Sequence, residues 1–145
     1  PGVLILNASH PGAAISYSLD PTRFALQASL APQLAVINYG HNQGSNVSTF
    51  SEQVEDLAGM LLDAYPDVGV ALTTQNPRRE PANNIVPHAI RNRQVAEHAA
   101  RRGFGLVDAF ARLQGDGLSE PDGIHPNSDG WRVWAAVALE FLAGA

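Results

Sequence analysis

The sequence has 145 residues, of which 45% are hydrophobic and 16% charged, with a formal net charge of −5. That length is one ordinary domain, and that apolar share excludes a disordered tail or a collagen-like repeat. All nine basic side chains are Arg and there is no Cys. A mildly acidic chain without Lys lacks the basic patch that nucleic acid or anionic lipid requires, so neither is an expected partner. The absence of Cys excludes disulfides, zinc–thiolate sites and a thiol nucleophile.

The apolar runs are short and alternate with helical patterns. Val3-Leu4-Ile5-Leu6 reads as a buried strand. It is too short for a signal peptide's apolar stretch and lacks a basic flank. The turn-rich loop Asn7-Ala8-Ser9-His10-Pro11-Gly12 follows. Residues 22–30 form a modest helix, and 34–39 a second strand ending at Gly40. Residues 49–65 give the clearest helix, with Phe50, Val54, Leu57, Ala58, Leu61, Leu62 and Tyr65 on one stripe. Thr49 and Glu52 have capping-box spacing, and Pro66 stops the helix.

Residues 68–74 are a third strand and 75–84 a polar loop containing Pro. Residues 87–102 read as a helix with Pro87 in its first turn and Gly103 just past its end. Residues 104–107 are a fourth strand, 115–126 a loop, and 128–142 a closing helix. That last helix carries Trp131, Trp134, Val137, Ala138, Phe141 and Leu142 on one face, with the two Trp as packing residues. No repeat, linker or boundary interrupts residues 1–145, which read as a single domain. Strands rich in Val, Ile, Leu and Ala alternating with helices predict a parallel, doubly wound α/β sheet. Ligands bind such sheets outside the carboxyl ends of the strands.

Three clusters fall where that rule points: Asn7 to Gly12 after the first strand, Gly40-His41-Asn42 after the second, and Asp122-Gly123-Ile124-His125-Pro126 before the last helix. A carboxylate three residues before a His can hold the Nδ1 proton and leave Nε2 as a general base. A Gly N–H and an Asn side chain at neighbouring strand ends can converge as an oxyanion hole. Taken singly, each motif also has an ordinary reading: Asp122-Gly123 is a turn pair, Asn42 a cap and Gly12 a tight turn. Ser9 reads as a hydrogen-bonding loop residue rather than a nucleophile. His10, His41, His88 and His98 read as surface or loop groups, and Arg78-Arg79 as a solvated loop.

In combination and in chain order, the three clusters resemble the blocks of the SGNH hydrolases, the GDSL-type esterases and lipases. Asn7 to Gly12 looks like the second block, with Gly12 on its oxyanion glycine. Gly40-His41-Asn42 looks like the third, with Asn42 as the oxyanion asparagine. Asp122 to Pro126 looks like the fifth, whose Asp and His serve the nucleophile. The resemblance implies a three-layer α/β/α, flavodoxin-like parallel sheet with strand order 2-1-3-4-5, no cofactor and no metal. It also implies a serine ester hydrolase acting on short-chain acyl esters. His41 within the third block is reminiscent of acetylesterases acting on carbohydrates, which points to an acetylated carbohydrate.

Two departures stand against these matches. The family's Gly-Asp-Ser block, which carries the nucleophile, occurs nowhere in the chain; the one Gly-Asp, Gly115-Asp116, is followed by Gly117. Gln43 stands where the family often has Asp. The expectation is therefore a C-terminal portion of the domain, lacking the central first strand, in which Asp122 and His125 and the donors Gly12 and Asn42 await a serine from a complementing N-terminal polypeptide. The rival expectation is a catalytically inactive module of the same fold, binding carbohydrate or serving a structural role.

Overall fold

The computed structural model describes residues 4–43, 47–115 and 117–144. Three parallel strands, β1 (Leu34–Ile37), β2 (Gly69–Thr74) and β3 (Gly105–Asp108), lie side by side in that order. The register pairs Val36 with Ala71 and Thr74 with Asp108. Among the described residues, five α-helices connect and cover them: α1 (Pro21–Ala28), α2 (Phe50–Ala64), α3 (Ala82–Arg102), α4 (Ala109–Arg112) and α5 (Ser128–Gly144). A 3-10 turn, Ile15–Tyr17, precedes α1. No helix among the described residues is long and apolar enough to cross a membrane.

The core follows the pleat. Val70 and Leu72 of β2 join Phe50, Val54 and Leu57 of α2 and Val95 and Ala99 of α3 in one buried cluster. α5 covers the other face, bringing Phe141 against Gly105, which lies beside Ala71. The three layers of an α/β/α fold are thus present, as the alternating pattern predicts. The second face is covered unevenly. Leu34 and Val36 sit in register with Gly69 and Ala71, hence on the α5 side, yet they are 36% and 48% exposed.

The expected first strand does not form. Val3 lies outside the described residues, and Leu4, Ile5 and Leu6 are irregular and exposed. A strand needs a neighbour to take up its N–H and C=O groups, and no described strand pairs with this segment.

The helix ends show which local signals prevailed. Asp20 caps α1 by accepting from the Thr22 and Arg23 N–H groups at 3.1 Å, with Pro21 in the first turn. The capping box expected at Thr49 is not made: Thr49 has helical torsions and its side chain caps nothing. α3 begins at Ala82, five residues before the expected start, so Pro87 lies inside it. Pro87 denies the Asn83 carbonyl its helical N–H, but Asn83 is exposed and water can satisfy it. Gly103 ends α3 with φ +67° and ψ 25°, the left-handed cap expected there. In α5, Asn127 accepts from the Asp129 and Gly130 N–H groups at 3.1 and 3.0 Å. Its expected apolar stripe is only partly covered: Val137 is buried, but Leu142 is exposed and Trp131, expected to pack, is 54% exposed.

Candidate active site

The carboxyl end of the sheet is where the chain becomes polar in its interior. Thr73, Thr74, Gln75 and Asn76 at the end of β2 are all buried, as are His88, Arg91 and Asn92 of α3. Most of their polar atoms are hydrogen-bonded, within the layer or to Asn38 and Asp108, although His88 Nδ1 has no hydrogen-bond partner among the described residues. The Thr73 hydroxyl donates to Asn38 Oδ1 at 2.8 Å, and the Thr74 hydroxyl to Asp108 Oδ1 at 2.7 Å. The Gln75 N–H donates to Asn92 Oδ1 at 2.6 Å, and Asn92 Nδ2 to the His88 carbonyl at 3.0 Å. This polar layer touches two of the three sequence clusters, through Arg91 Nε on the Gly40 carbonyl and Asn76 Nδ2 on the Ile124 carbonyl.

The pairing expected of Asp122 and His125 is present. His125 Nδ1 lies 2.6 Å from Asp122 Oδ2, and the Ile124 and His125 N–H groups donate to Asp122 Oδ1 at 2.8 and 3.0 Å. The His125 side chain first, then these two N–H groups, stabilise the carboxylate and pull Asp122 down to about 2. An ionised Asp122 accepts at Oδ2, so the Nδ1 proton belongs to His125, and in the neutral ring of that tautomer Nε2 is the acceptor. Both side chains are open to solvent.

The loop around them is shaped by Gly123, which has φ +66°. A Cβ there would sit 3.0 Å from Glu80 Cβ and 3.1 Å from the Glu80 nitrogen. The close approach lets the Gly123 carbonyl accept from the Arg79 N–H at 2.7 Å and the Glu80 N–H at 3.3 Å. The loop after β2 thereby braces the loop of Asp122 and His125.

Gly12 occupies the third position of a turn closed by the Ala13 N–H on the His10 carbonyl at 3.2 Å, with Pro11 before it and φ +74°. That is the pattern of a type II turn. Asn42 lies in the loop that follows β1, and both Gly12 and Asn42 are exposed. Among the described residues, Gly12, Asn42 and His125 share no direct hydrogen bond. What brings their loops together is a set of side chains that the motifs do not include.

Gln43 Oε1 accepts from the Ile15 N–H at 3.0 Å, tying the Gly12 loop to the Asn42 loop. Arg91 Nε donates to the Gly40 carbonyl at 3.2 Å and Arg78 Nη1 to the His41 carbonyl at 2.8 Å. Arg78 is therefore not the solvated group expected of the Arg78-Arg79 pair, because two backbone carbonyls, of His41 and Glu80, hold it in place.

Two histidines expected at the surface are in the interior. His88 is 1% and His98 2% exposed. Both lie on the inward face of α3 with Arg91, Asn92 and Val95, a stripe whose polar members hide it from a hydrophobicity pattern. His98 Nε2 lies 2.7 Å from Glu55 Oε2. The His41 and His88 rings lie 4.6 Å apart, and burial lowers both titrations, His88 to about 4 with His41 adding repulsion. The fourth, His10, is exposed as expected and stacks on Tyr17 at 4.5 Å. Among the described residues no three His, Asp or Glu side chains converge as metal ligands.

An oriented imidazole with a free Nε2 can move a proton, and backbone and amide N–H groups in adjoining loops can receive developing negative charge. Known proteins share this architecture. Residues 1–133 match the model of the GDSL-like lipase/acylhydrolase family. Among solved structures, a carbohydrate esterase family 3 protein from Talaromyces cellulolyticus superposes with TM-score 0.79 at 18% identity, covering 93% of this chain and 69% of that one. A lipase/acylhydrolase from Enterococcus faecalis gives TM-score 0.76 at 19% identity, with 92% and 72% covered. A peptidoglycan O-acetylesterase gives TM-score 0.76 at 16% identity, with 92% of this chain but only 44% of that one covered. No curated protein sequence matches significantly. The fold and the match across residues 1–133 together show that the chain belongs to the GDSL-like lipase/acylhydrolase family.

Proposed function

We propose that residues 1–145 are the portion of a single SGNH domain that supplies the base, its orienting carboxylate and the oxyanion donors of a serine ester hydrolase. The observation that carries this reading is the 2.6 Å hydrogen bond from His125 Nδ1 to Asp122 Oδ2, which leaves Nε2 free in an exposed loop at the carboxyl end of the sheet. The serine arrives on a segment bearing Gly-Asp-Ser, a sequence these 145 residues do not contain. Two features favour such a segment. Leu34 and Val36 leave an apolar strip of the sheet uncovered beside the edge of β1 that pairs with no described strand. Leu4 to Leu6 are apolar and exposed, and no described strand pairs with them either.

In the completed site the serine Oγ attacks the ester carbonyl carbon while His125 Nε2 takes its proton. The Gly12 N–H and the Asn42 amide stabilise the oxyanion. The C–O bond to the alcohol then breaks, His125 protonates the departing oxygen, and water hydrolyses the acyl-serine by the same route. Asp122 holds the imidazole throughout. No metal or cofactor enters this scheme.

The substrate we favour is an acetyl ester on a carbohydrate. His41 precedes Asn42 in the third block, and two of the structural neighbours are named as a carbohydrate esterase and a peptidoglycan O-acetylesterase. The test is hydrolysis of short-chain aryl esters and of acetylated sugars by this chain alone and with the segment encoded before Pro1. Turnover only in the completed form supports the reading. An upstream segment without Gly-Asp-Ser, and no turnover in either form, would favour the inactive module instead.

A further inference from the structure

Asn76 is the first residue beyond Gln75 at the carboxyl end of β2, and it is 6% exposed. Three elements meet on it. Its Oδ1 lies 2.8 Å from His41 Nε2, its Nδ2 donates to the Ile124 carbonyl at 2.8 Å, and its own carbonyl lies 2.9 Å from His88 Nε2. Nδ2 also reaches the Pro77 carbonyl at 3.3 Å. Two carbonyls around Nδ2 fix the orientation of the amide, so Oδ1 faces His41 and must accept. It follows that His41 carries its proton on Nε2, and His88 does too, because a carbonyl cannot donate.

His41 is the residue before Asn42, and Ile124 the residue before His125. One buried carboxamide therefore spans the two loops that hold the oxyanion amide and the base. We propose that Asn76 is a positioning residue, whose side chain sets the separation of the Asn42 loop and the His125 imidazole by bridging His41 Nε2 and the Ile124 carbonyl. Its catalytic consequence rests on the function proposed above; the bridge itself does not.

The bridge has a geometric counterpart. Arg78 Nη1 on the His41 carbonyl and the Arg79 N–H on the Gly123 carbonyl, at 2.8 and 2.7 Å, hold the same two loops from the next residues of the same segment. Those contacts fix the backbones one loop at a time, whereas Asn76 reaches both loops with one side chain. Misplacement by 1 Å between reacting groups costs about a hundredfold in rate, so a side chain that fixes this spacing acts on turnover without touching substrate.

The test has two arms. In the 145-residue chain, histidine nitrogen NMR should find His41 as the Nε2–H tautomer. In Asn76→Ala, and equally in His41→Ala, the His125 ring resonances should shift while those of His98 stay in place. An Nδ1–H tautomer at His41 in the unmutated chain would overturn the proposal, and would do so even if both variants failed to fold. A folded variant with unchanged His125 resonances would also overturn it. In the completed enzyme, Asn76→Ala should lower kcat about 10- to 100-fold with KM within about twofold. A lower melting temperature with unchanged kcat would mean a structural role only and would refute it. If the completed enzyme shows no turnover at all, the proposed function fails while the NMR arm still decides the bridge.

Discussion

Gln43 Oε1 accepts the Ile15 N–H at 3.0 Å, a bond that ties the segment following Gly12 to the loop holding Asn42. Ile15 is wholly buried in the intact chain, so its N–H depends on Gln43 for a partner. Gln43→Ala should therefore cost about 1–3 kcal/mol of stability. Gln43→Glu keeps the acceptor for Ile15 but loses the Gln43 Nε2 donation to Gln53 Oε1 at 3.1 Å, and should fall between Gln43→Ala and the parent. Urea unfolding midpoints of the two variants measure the difference, and equal midpoints would mean that the bond to Ile15 contributes nothing.

Gly123→Ala should disturb the base-bearing loop directly. The left-handed φ of +66° costs a β-carbon residue about 1–2 kcal/mol, and the new methyl would press on Glu80. The expected outcome is a lower melting temperature and, in the completed enzyme, a kcat reduced more than KM is raised. A variant with parental kcat would show that the Gly123–Glu80 approach does not govern the site.

Stability should fall with acidification in a defined window. The folded titration of His88, at about 4, lies below the unfolded value of about 6.5. The unfolded chain therefore takes up the proton first as pH drops. This contribution is complete above about pH 6.5 and is lost as pH falls from there to about 4, amounting to at most about 3 kcal/mol. His41, Arg91 and Arg78 all add repulsion against charging the ring. Asp122 acts in a separate, more acid window: its titration at about 2 lies below the ordinary value of 3.8, so its contribution is lost as pH falls through that interval. His88→Gln should flatten the upper window, read from unfolding midpoints between about pH 7.5 and 4, because Gln can still donate to the Asn76 carbonyl without titrating. An unchanged pH slope would assign the acid sensitivity elsewhere.

The two halves of the proposed machinery should fail differently. Asn42→Ala removes an oxyanion donor and should cost about 2.7–4 kcal/mol in kcat. Asp122→Asn keeps an acceptor for the Ile124 and His125 N–H groups but presents an amide to Nδ1. That selects the wrong imidazole tautomer and should lower kcat about a thousandfold or more. Comparison of kcat on a common aryl acetate checks both, and a rate within experimental error of the parent for either variant removes that residue from the scheme.

Short apolar runs such as Leu34 to Ile37, alternating with amphipathic stretches, suffice to read the parallel sheet and the helices α1, α2 and α5. Burial on both faces leaves a strong apolar signal in β2, and the stripe from Phe50 to Leu57 marks α2. The Asp122–His125 bond is legible from spacing alone, since three residues across a Gly turn bring those side chains within reach. The fixtures of the site are not. His88, Arg91 and Asn92 lie on the buried stripe of α3 as polar residues, and Asn76 and Gln43 act through contacts 28 or more residues away in sequence. Hydrophobic periodicity carries no mark of a polar group that is buried because others satisfy it. The start of α3 is hidden for a related reason: Pro87 reads as a boundary, whereas the exposed Asn83 carbonyl lets the helix continue through it.

The most direct test of the account is the initial rate of aryl acetate hydrolysis by the chain completed with the segment encoded before Pro1, with and without His125→Ala. The account predicts turnover in the completed form, none above background in the 145-residue chain alone, and loss of turnover in the variant. Turnover by the chain alone that survives His125→Ala would contradict it.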